Sequence, residues 1–268
     1  TPIGTARDIT LRALDVLASA DLLAAEDTRS LRRLLEIHGV PLDGRRVLAL
    51  HDHSGPAVQE RLLTALGEGA SVAYASEAGM PLIADPGFEL GRAAAEAGHA
   101  VTSAPGPTAV TTALALSGLA TDAFFFGGFL PSAAAARRTR LSALAAVPGT
   151  LAFYESPKRL AAALADMAEM LGGAREAAVC RELTKKFEEV RRGTLAELAA
   201  DLAETPVKGE VVVLVARAAA EPATQAEVDA ALKEALETMS VRDAADLVSA
   251  ELGLSRRPVY QRAMTLKR

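Results

Sequence analysis

The chain has 268 residues, half of them hydrophobic and 24% charged, with a net charge of −5 and a single cysteine. This describes a globular protein of about two domains and excludes a disordered chain. No apolar run approaches the roughly 20 residues of a membrane span. TPIGTARDIT shows no basic segment followed by an apolar one, so no secretory leader is visible. Cys180 alone can form neither an internal disulfide nor a cysteine zinc cage, which fits a reducing cytoplasm. The negative charge argues against uniform wrapping of nucleic acid and allows a local basic surface.

Through the first 120 residues, apolar runs alternate with helical patterns. RVLAL (46–50), SVAYA (71–75) and AVTSA (100–104) read as short buried strands. Helices are expected at about 8–19, 28–38, 56–67, 85–97 and 107–117, with Asp8 capping the first and Asp85-Pro86 opening the fourth. Such alternation predicts an α/β fold with a mostly parallel sheet. Thr1-Pro2-Ile3-Gly4 reads as a turn that a further strand precedes in the natural protein. The texture changes at Leu119–Phe129, where Phe124, Phe125, Phe126 and Phe129 cluster, and a domain boundary is expected near 120. Strands are then expected at 150–154, 176–181, 187–193 and 210–216, separated by helices at 133–146, 156–171 and 194–203. Some connections are short enough to make this second sheet partly antiparallel. The predicted organisation is 1–120, 121–220 and a helical tail at 224–268, with a linker at Glu221-Pro222-Ala223-Thr224.

The tail has a helix-turn-helix pattern. Val241, Ala244, Ala245 and Val248 fall at i, i+3, i+4 and i+7. A glycine turn at Gly253 follows, and then Ser255 as the N-cap of a helix that tolerates Pro258 in its first turn. From 252 onward there are five basic residues (Arg256, Arg257, Arg262, Lys267 and Arg268) and no acidic one. The bland reading is a small helical cap; the sharper one is a grip on nucleic-acid phosphates.

Signatures of nucleoside triphosphatases, dinucleotide enzymes, zinc proteases and common hydrolases are absent. His51-Asp52-His53 could present two imidazoles to a metal. With only His38 and His99 besides, a full site would need carboxylates, and a polar strand end is the simpler reading, so no metal is expected. Three glycine- and proline-rich turns stand out: Thr1–Gly4, Ser76–Gly87 and Ala104–Ala109. At the carboxyl edge of a parallel sheet such turns line a ligand crevice. Glycine admits a close approach of backbone to ligand, and proline holds the loop in shape.

Taken together, TPIGTARDITLRAL, AAEDTR (24–29), SEAGMPLIADPG (76–87), APGPTA (104–109), FGGFLP (126–131), FYESPKRL (153–160) and RELTKKFEEVRRGTL (181–195) closely resemble the ribosomal RNA small-subunit methyltransferase I family, within the tetrapyrrole methylase fold. The resemblance runs from Thr1 to about Ala216 and more weakly through the tail. It implies S-adenosylmethionine as cofactor, 2′-O-methylation of a cytidine ribose in 16S ribosomal RNA of the small subunit, a cytoplasmic homodimer and no membrane partner. It assigns the donor pocket to Pro2, Glu77, Ile83, Thr108, Ala109 and Tyr154. Family members usually carry Asp at the position of Glu77 and Thr at that of Met80.

A ribose hydroxyl is a weak nucleophile that a positioned base would help. Glu26, Asp27, Glu155 and Glu182 lie in or beside the matching motifs and are the candidates. Arg29, Arg181, Lys185 and Lys186, with Arg256, Arg257 and Arg262 in the tail, are the candidate RNA contacts. Arg137, Arg138 and Arg140, Lys158-Arg159, and Arg191-Arg192 are compatible with a basic RNA-facing side. Two alternatives stand: a tetrapyrrole, other small-molecule or protein methyltransferase on the same fold, and a non-catalytic nucleic-acid-binding protein. The arginine groups and the tail disfavour the first, and the three cofactor-type loops disfavour the second.

Overall fold

A computed structural model describes residues 1–51, 54, 56–218 and 224–267. The chain divides into two compact units, Thr1–Ala218 and Ala219–Arg268. The first contains two sheets. A three-stranded parallel sheet has β1 (Leu22–Ala25) between β2 (Val47–Ala49) and β3 (Val72–Ala75). A five-stranded mixed sheet runs β4-β5-β8-β6-β7, from β4 (Phe124–Phe129), β5 (Thr150–Glu155), β6 (Glu176–Arg181), β7 (Glu189–Thr194) and β8 (Val211–Val215). Only β4 and β5 are parallel there; the other pairings are antiparallel, as the short connections predict.

The helices of this unit are α1 (Leu11–Ser19), α2 (Thr28–Ile37), α3 (Pro56–Gly67), α4 (Phe88–Glu96), α5 (Ala109–Ser117), α6 (Ala134–Leu144), α7 (Leu160–Leu171) and α8 (Leu195–Glu204). Strand alternation sorts the core of the second sheet. Val211, Val213 and Val215 join Phe153, Leu164 and Met167, whereas Val212 and Leu214 face Val110, Ala113 and Leu114 of α5. Thus α5, which precedes residue 120, packs on the sheet that follows it. In the first sheet Leu23 and Ala25 pack with Leu31 and Leu35 of α2, and Ala24 points the other way to Leu62 and Leu90.

Several expectations are corrected. β1 and β4 were not foreseen, the first because LLAA has no β-branched residue and the second because FFFGGF carries two glycines. Gly127 is required there: a Cβ would lie 2.5 Å from the Phe153 ring. Ala100–Ala104 forms no strand, and Val101 is exposed; an apolar run becomes a strand only where a ladder partner takes up its backbone groups. The first helix is capped by Thr10, whose hydroxyl accepts from the Ala13 N–H, and Asp8 lies in a separate 3-10 turn. Helix α4 starts at Phe88 behind Gly87 (φ 112°), so Asp85 and Pro86 belong to the loop before it.

The second unit comprises α9 (Gln225–Thr238), α10 (Val241–Glu251) and α11 (Arg256–Leu266). Thr224 and Glu227 form a capping box on α9, and Ser240 caps α10. Ser255 occupies the N-cap position of α11 without a side-chain bond. Val228, Leu232, Ala244, Ala245, Val248, Val259 and Ala263 make its core. The linker residues Glu221, Pro222 and Ala223, and Arg268, lie outside the described residues.

Candidate active site

A cleft of about 610 Å³ opens in the first unit, lined by the ends of both sheets and the loops between them. Pro2, Glu77, Ile83, Thr108, Ala109 and Tyr154 all line it, as do Glu26, Glu155 and Lys185. The three glycine- and proline-rich turns converge here. The Gly79 N–H donates to the Pro2 carbonyl at 3.2 Å, and Met80 lies beside Gly106, 3.8 Å from where a Cβ would stand. Gly79 (φ 80°) fits because it lacks a Cβ, which would come within 3.3 Å of the Pro107 carbonyl.

Loop 76–87 reaches this shape through left-handed backbone at Leu82 (φ 70°) and Ala84 (φ 63°). Non-glycine residues there cost on the order of 1–3 kcal/mol each and persist where surrounding contacts over-determine them. Ser76 supplies one such contact, its hydroxyl donating to the Gly79 carbonyl at 2.7 Å. Thr108 caps α5 by accepting from the Thr111 N–H at 3.2 Å, which turns the start of that helix and Ala109 to the cleft.

Tyr154 stands edge-on to Phe126 and Phe129, with ring centres 4.9 and 5.6 Å away. Burial, reinforced by the Asp85 carboxylate, pushes its phenol up to about 12, so the ring stays neutral. The Cys180 thiol, fully buried at the cleft floor, is likewise pushed up to about 11 by burial and is inert as a nucleophile.

The four candidate bases separate. Glu26 lines the cleft and accepts the Glu77 N–H at 3.0 Å on Oε2, leaving Oε1 without a partner among the described residues. Glu155 is buried, its oxygens taken by the Ser156 N–H at 2.8 Å and the Arg159 guanidinium at 3.0 Å. Asp27 is not brought into the cleft. It caps α2 and pairs with Arg29, whose hydrogen bond comes first among the causes holding the Asp27 carboxyl down to about 2. Glu182 also stands outside; the Glu210 N–H and then Lys185 lower its pKa.

Among the cationic candidates, Lys185 reaches the cleft. Burial opposes its charge, but hydrogen bonds from its ammonium to Glu210 and Glu182 outweigh this and raise its pKa. Arg29 lies with Asp27 in a neighbouring groove of about 590 Å³ that shares Pro2, Gly4, Ser30 and Glu77 with the cleft. Arg181 is tied to Glu189 at 3.0 Å, and Lys186 is exposed with its ammonium 5.5 Å from the Phe187 ring centre. In the tail, Arg256 pairs with Asp246 and Arg262 with Asp229, while Arg257 is exposed with no ion pair among the described residues.

Much of the basic face expected of the second block is spent on internal partners, although Arg140 and Lys158 remain exposed. Arg137 is buried on Asp166, Arg138 binds Asp166 and Glu169, Arg191 binds Glu189 and Asp201, and Arg192 donates to carbonyls of α5. These arginines brace the fold, because each lies beside a carboxylate or a helix end that the sequence keeps far away. Asp52 and His53 of the histidine motif lie outside the described residues; among those described, no cluster of three or more metal-ligating side chains occurs. Sequence reasoning missed Asp85 and Glu210 as cleft residues. Asp85 had been read as a helix cap, and Glu210 sits at the start of an apolar strand with no motif around it.

A family model for tetrapyrrole (corrin/porphyrin) methylases matches residues 1–199, and one for the RsmI C-terminal HTH domain matches 222–267. Ribosomal RNA small subunit methyltransferase I of Mesorhizobium japonicum is 48% identical over 100% of this chain and 90% of its own. The protein of the same name from Xylella fastidiosa is 45% identical over 97% of this chain and 95% of its own. The crystal structure of the methyltransferase CobJ shares the fold, with a TM-score of 0.61 and 21% identity, covering 83% of this chain and 94% of that one. Sequence, fold and the loops converging on one cleft agree: the chain is a methyltransferase of the tetrapyrrole methylase class and belongs to the ribosomal RNA small subunit methyltransferase I family.

Proposed function

We propose that this enzyme transfers a methyl group from S-adenosylmethionine to the ribose 2′-hydroxyl of a cytidine in 16S ribosomal RNA of the small subunit. The observation that carries the reading is the convergence of Pro2, Glu77, Ile83, Thr108, Ala109 and Tyr154 on one cleft, in a chain of this family. The cleft volume falls within the roughly 300–1,000 Å³ usual for cofactor sites. Its chemistry fits a cationic donor: Pro2, Ile83, Ala109 and Tyr154 offer apolar surface, while Glu77 and Asp85 offer negative charge. When bound, the donor supplies a methyl on a positively charged sulfur, whose departure as a neutral thioether calls for no general acid.

The protein's task is then to align the hydroxyl, exclude water and receive one proton. Glu26, with its second carboxylate oxygen open, is the group we assign to hold that proton. Glu155 and Arg159 brace the start of the 156–159 turn instead. Lys185 is already held by Glu182 and Glu210. In the tail, phosphate contact falls to Arg257 and Lys267, because Arg256 and Arg262 already hold intramolecular partners. The reading carries a cytoplasmic homodimer.

Calorimetry with S-adenosylmethionine, followed by methyl transfer to small subunits, naked 16S RNA and a porphyrinogen, tests this directly. Donor binding and methylation of a cytidine 2′-oxygen are expected; transfer to the porphyrinogen alone would replace the RNA substrate. Deleting 224–268 is expected to leave donor affinity unchanged while weakening subunit binding and flattening its salt dependence. Undiminished methylation by the truncated chain at low enzyme concentration would remove the tail from substrate docking.

A further inference from the structure

The five-stranded sheet turns one row of side chains towards the cleft. Phe129 of β4 pairs with Tyr154 of β5, Tyr154 with Val212 of β8, and Val212 with Cys180 of β6. All four line the cleft. Helix α5, whose first residue Ala109 is assigned to the donor, packs over the β8 and β6 end of this row, with Val212 and Cys180. Phe129 stands at the other end, on the edge strand.

Phe129 reaches this face only through an irregularity of its strand. Phe126 lies on the Tyr154 side of the sheet and pairs with Ala152. Strict alternation would send a residue three positions further on to the opposite side, where Phe125 and Phe153 are packed. A register shift between Phe126 and Phe129, with Gly128 in left-handed backbone (φ 66°), adds one residue and returns the ring to the cleft side, opposite Tyr154. The ring is then 57% exposed, its centre 5.6 Å from that of Tyr154. A bulge that leaves a phenylalanine more than half exposed gains little burial; what it achieves is the placement of the ring.

Charge decides what can meet that ring. Glu26, Glu77, Asp85 and Glu210 line the cleft, and Lys185, its one lining ammonium or guanidinium among the described residues, is already held by Glu182 and Glu210. Such a surface keeps phosphates at the rim and admits the uncharged parts of a nucleotide, its ribose and its base. Every base has a π-face that an aromatic side chain can take up without any charge.

We propose that Phe129 is the surface on which the base of the target nucleotide stacks when that nucleotide leaves its strand and enters the cleft. This rests on reading the chain as a ribosomal RNA methyltransferase. Neighbouring strands lie about 4.8 Å apart, so a base on Phe129 and a donor against Tyr154 and Ala109 are neighbours along the row. The α5 end of the row serves the donor, and the edge-strand end serves the substrate.

The test uses the full chain, S-adenosylmethionine and unmethylated small subunits, with Phe129→Leu and Phe129→Trp. Leucine keeps apolar bulk and removes the ring face; because the ring is exposed, the unfolding midpoint should stay near that of the wild type. Phe129→Leu is expected to raise KM for subunits about tenfold, the scale of one lost base–aromatic stack. Its kcat and donor Kd should change little, because stacking holds the substrate equally before and during transfer. Phe129→Trp should keep a KM near or below that of the wild type. An unchanged KM in Phe129→Leu would overturn the platform, and a tryptophan variant as impaired as the leucine one would show that no ring face is being read. A donor Kd weakened tenfold in Phe129→Leu would put the ring against the donor instead, and a changed assembly mass in light scattering would put it between two copies of the chain; either result overturns the proposal. Donor binding by the wild-type chain without any transfer to subunits or their RNA would instead sink the function reading itself.

Discussion

In the five-stranded sheet all five residues of β8 are buried, and Phe153, Leu151, Leu164 and Met167 are fully enclosed around them. The three-stranded sheet has strands of three or four residues, a core rich in alanine, and a following loop bent through Leu82 and Ala84 in left-handed backbone. The five-stranded sheet concentrates apolar burial, while left-handed non-glycine backbone occurs in a cleft loop of each sheet, at Leu82 and Ala84 after β3 and at Glu182 and Thr184 after β6. Strained, polar-lined loops are tolerable only against a body stable enough to over-determine them, and here α5 and Tyr154 bring that body to the cleft.

The largest effect that could break this contrast is in the core. Phe153→Ala should cost about 3–5 kcal/mol in urea unfolding, and amides of β5, β6 and β8 should exchange with solvent most slowly. Equal protection across β1, β2 and β3 would mean that stability is not concentrated in the second sheet. At the cleft, Ala109→Trp should abolish donor binding while leaving the unfolding midpoint near that of the wild type; normal binding would remove α5 from the donor pocket.

A smaller effect is expected at Glu77, where the carboxylate stands one methylene further out than the aspartate usual in the family. Glu77→Gln should weaken donor affinity severalfold, about what one exposed charge contributes, and Glu77→Asp should be neutral or better. Equal affinities for all three proteins would separate Glu77 from the donor. The smallest effect concerns acid. Asp27 titrates near 2 in the folded chain against its ordinary 3.8, chiefly through its hydrogen bond with Arg29. Its stabilising contribution is complete above about pH 4 and is lost as pH falls towards 2. Asp27→Asn should therefore lower the melting temperature slightly at pH 7, change it little near pH 2, and flatten its pH dependence in between.

The arginines show how far the sequence could be read. Arg137-Arg138 and Arg191-Arg192 have the spacing of a basic face, yet their partners Asp166, Asp201 and the end of α5 lie between 10 and 75 residues away along the chain. Charge pattern records which ions are present, not which are neutralised. The cleft was more legible because its parts are turns: glycine and proline state their conformation locally, so three ligand-type loops could be identified before any contact was known. Glu210 carried no such mark, since its partners Lys185 and Glu182 meet it only in the folded chain.

By itself the sequence determined the mixture of parallel and antiparallel sheet, the boundaries of β5 and β6, the starts of the last two tail helices, and the family. Alternation, connection length and capping residues act within a few positions of the chain, and the family motifs are contiguous. Only the tertiary structure decided that LLAA and FFFGGF become strands while AVTSA does not, and that α5 belongs to the later sheet. It alone separated Glu26 from Asp27 and Lys185 from Lys186, adjacent pairs of like charge. A strand exists only when another strand takes its hydrogen bonds, and a charged group acquires its role from neighbours that folding, not sequence order, supplies.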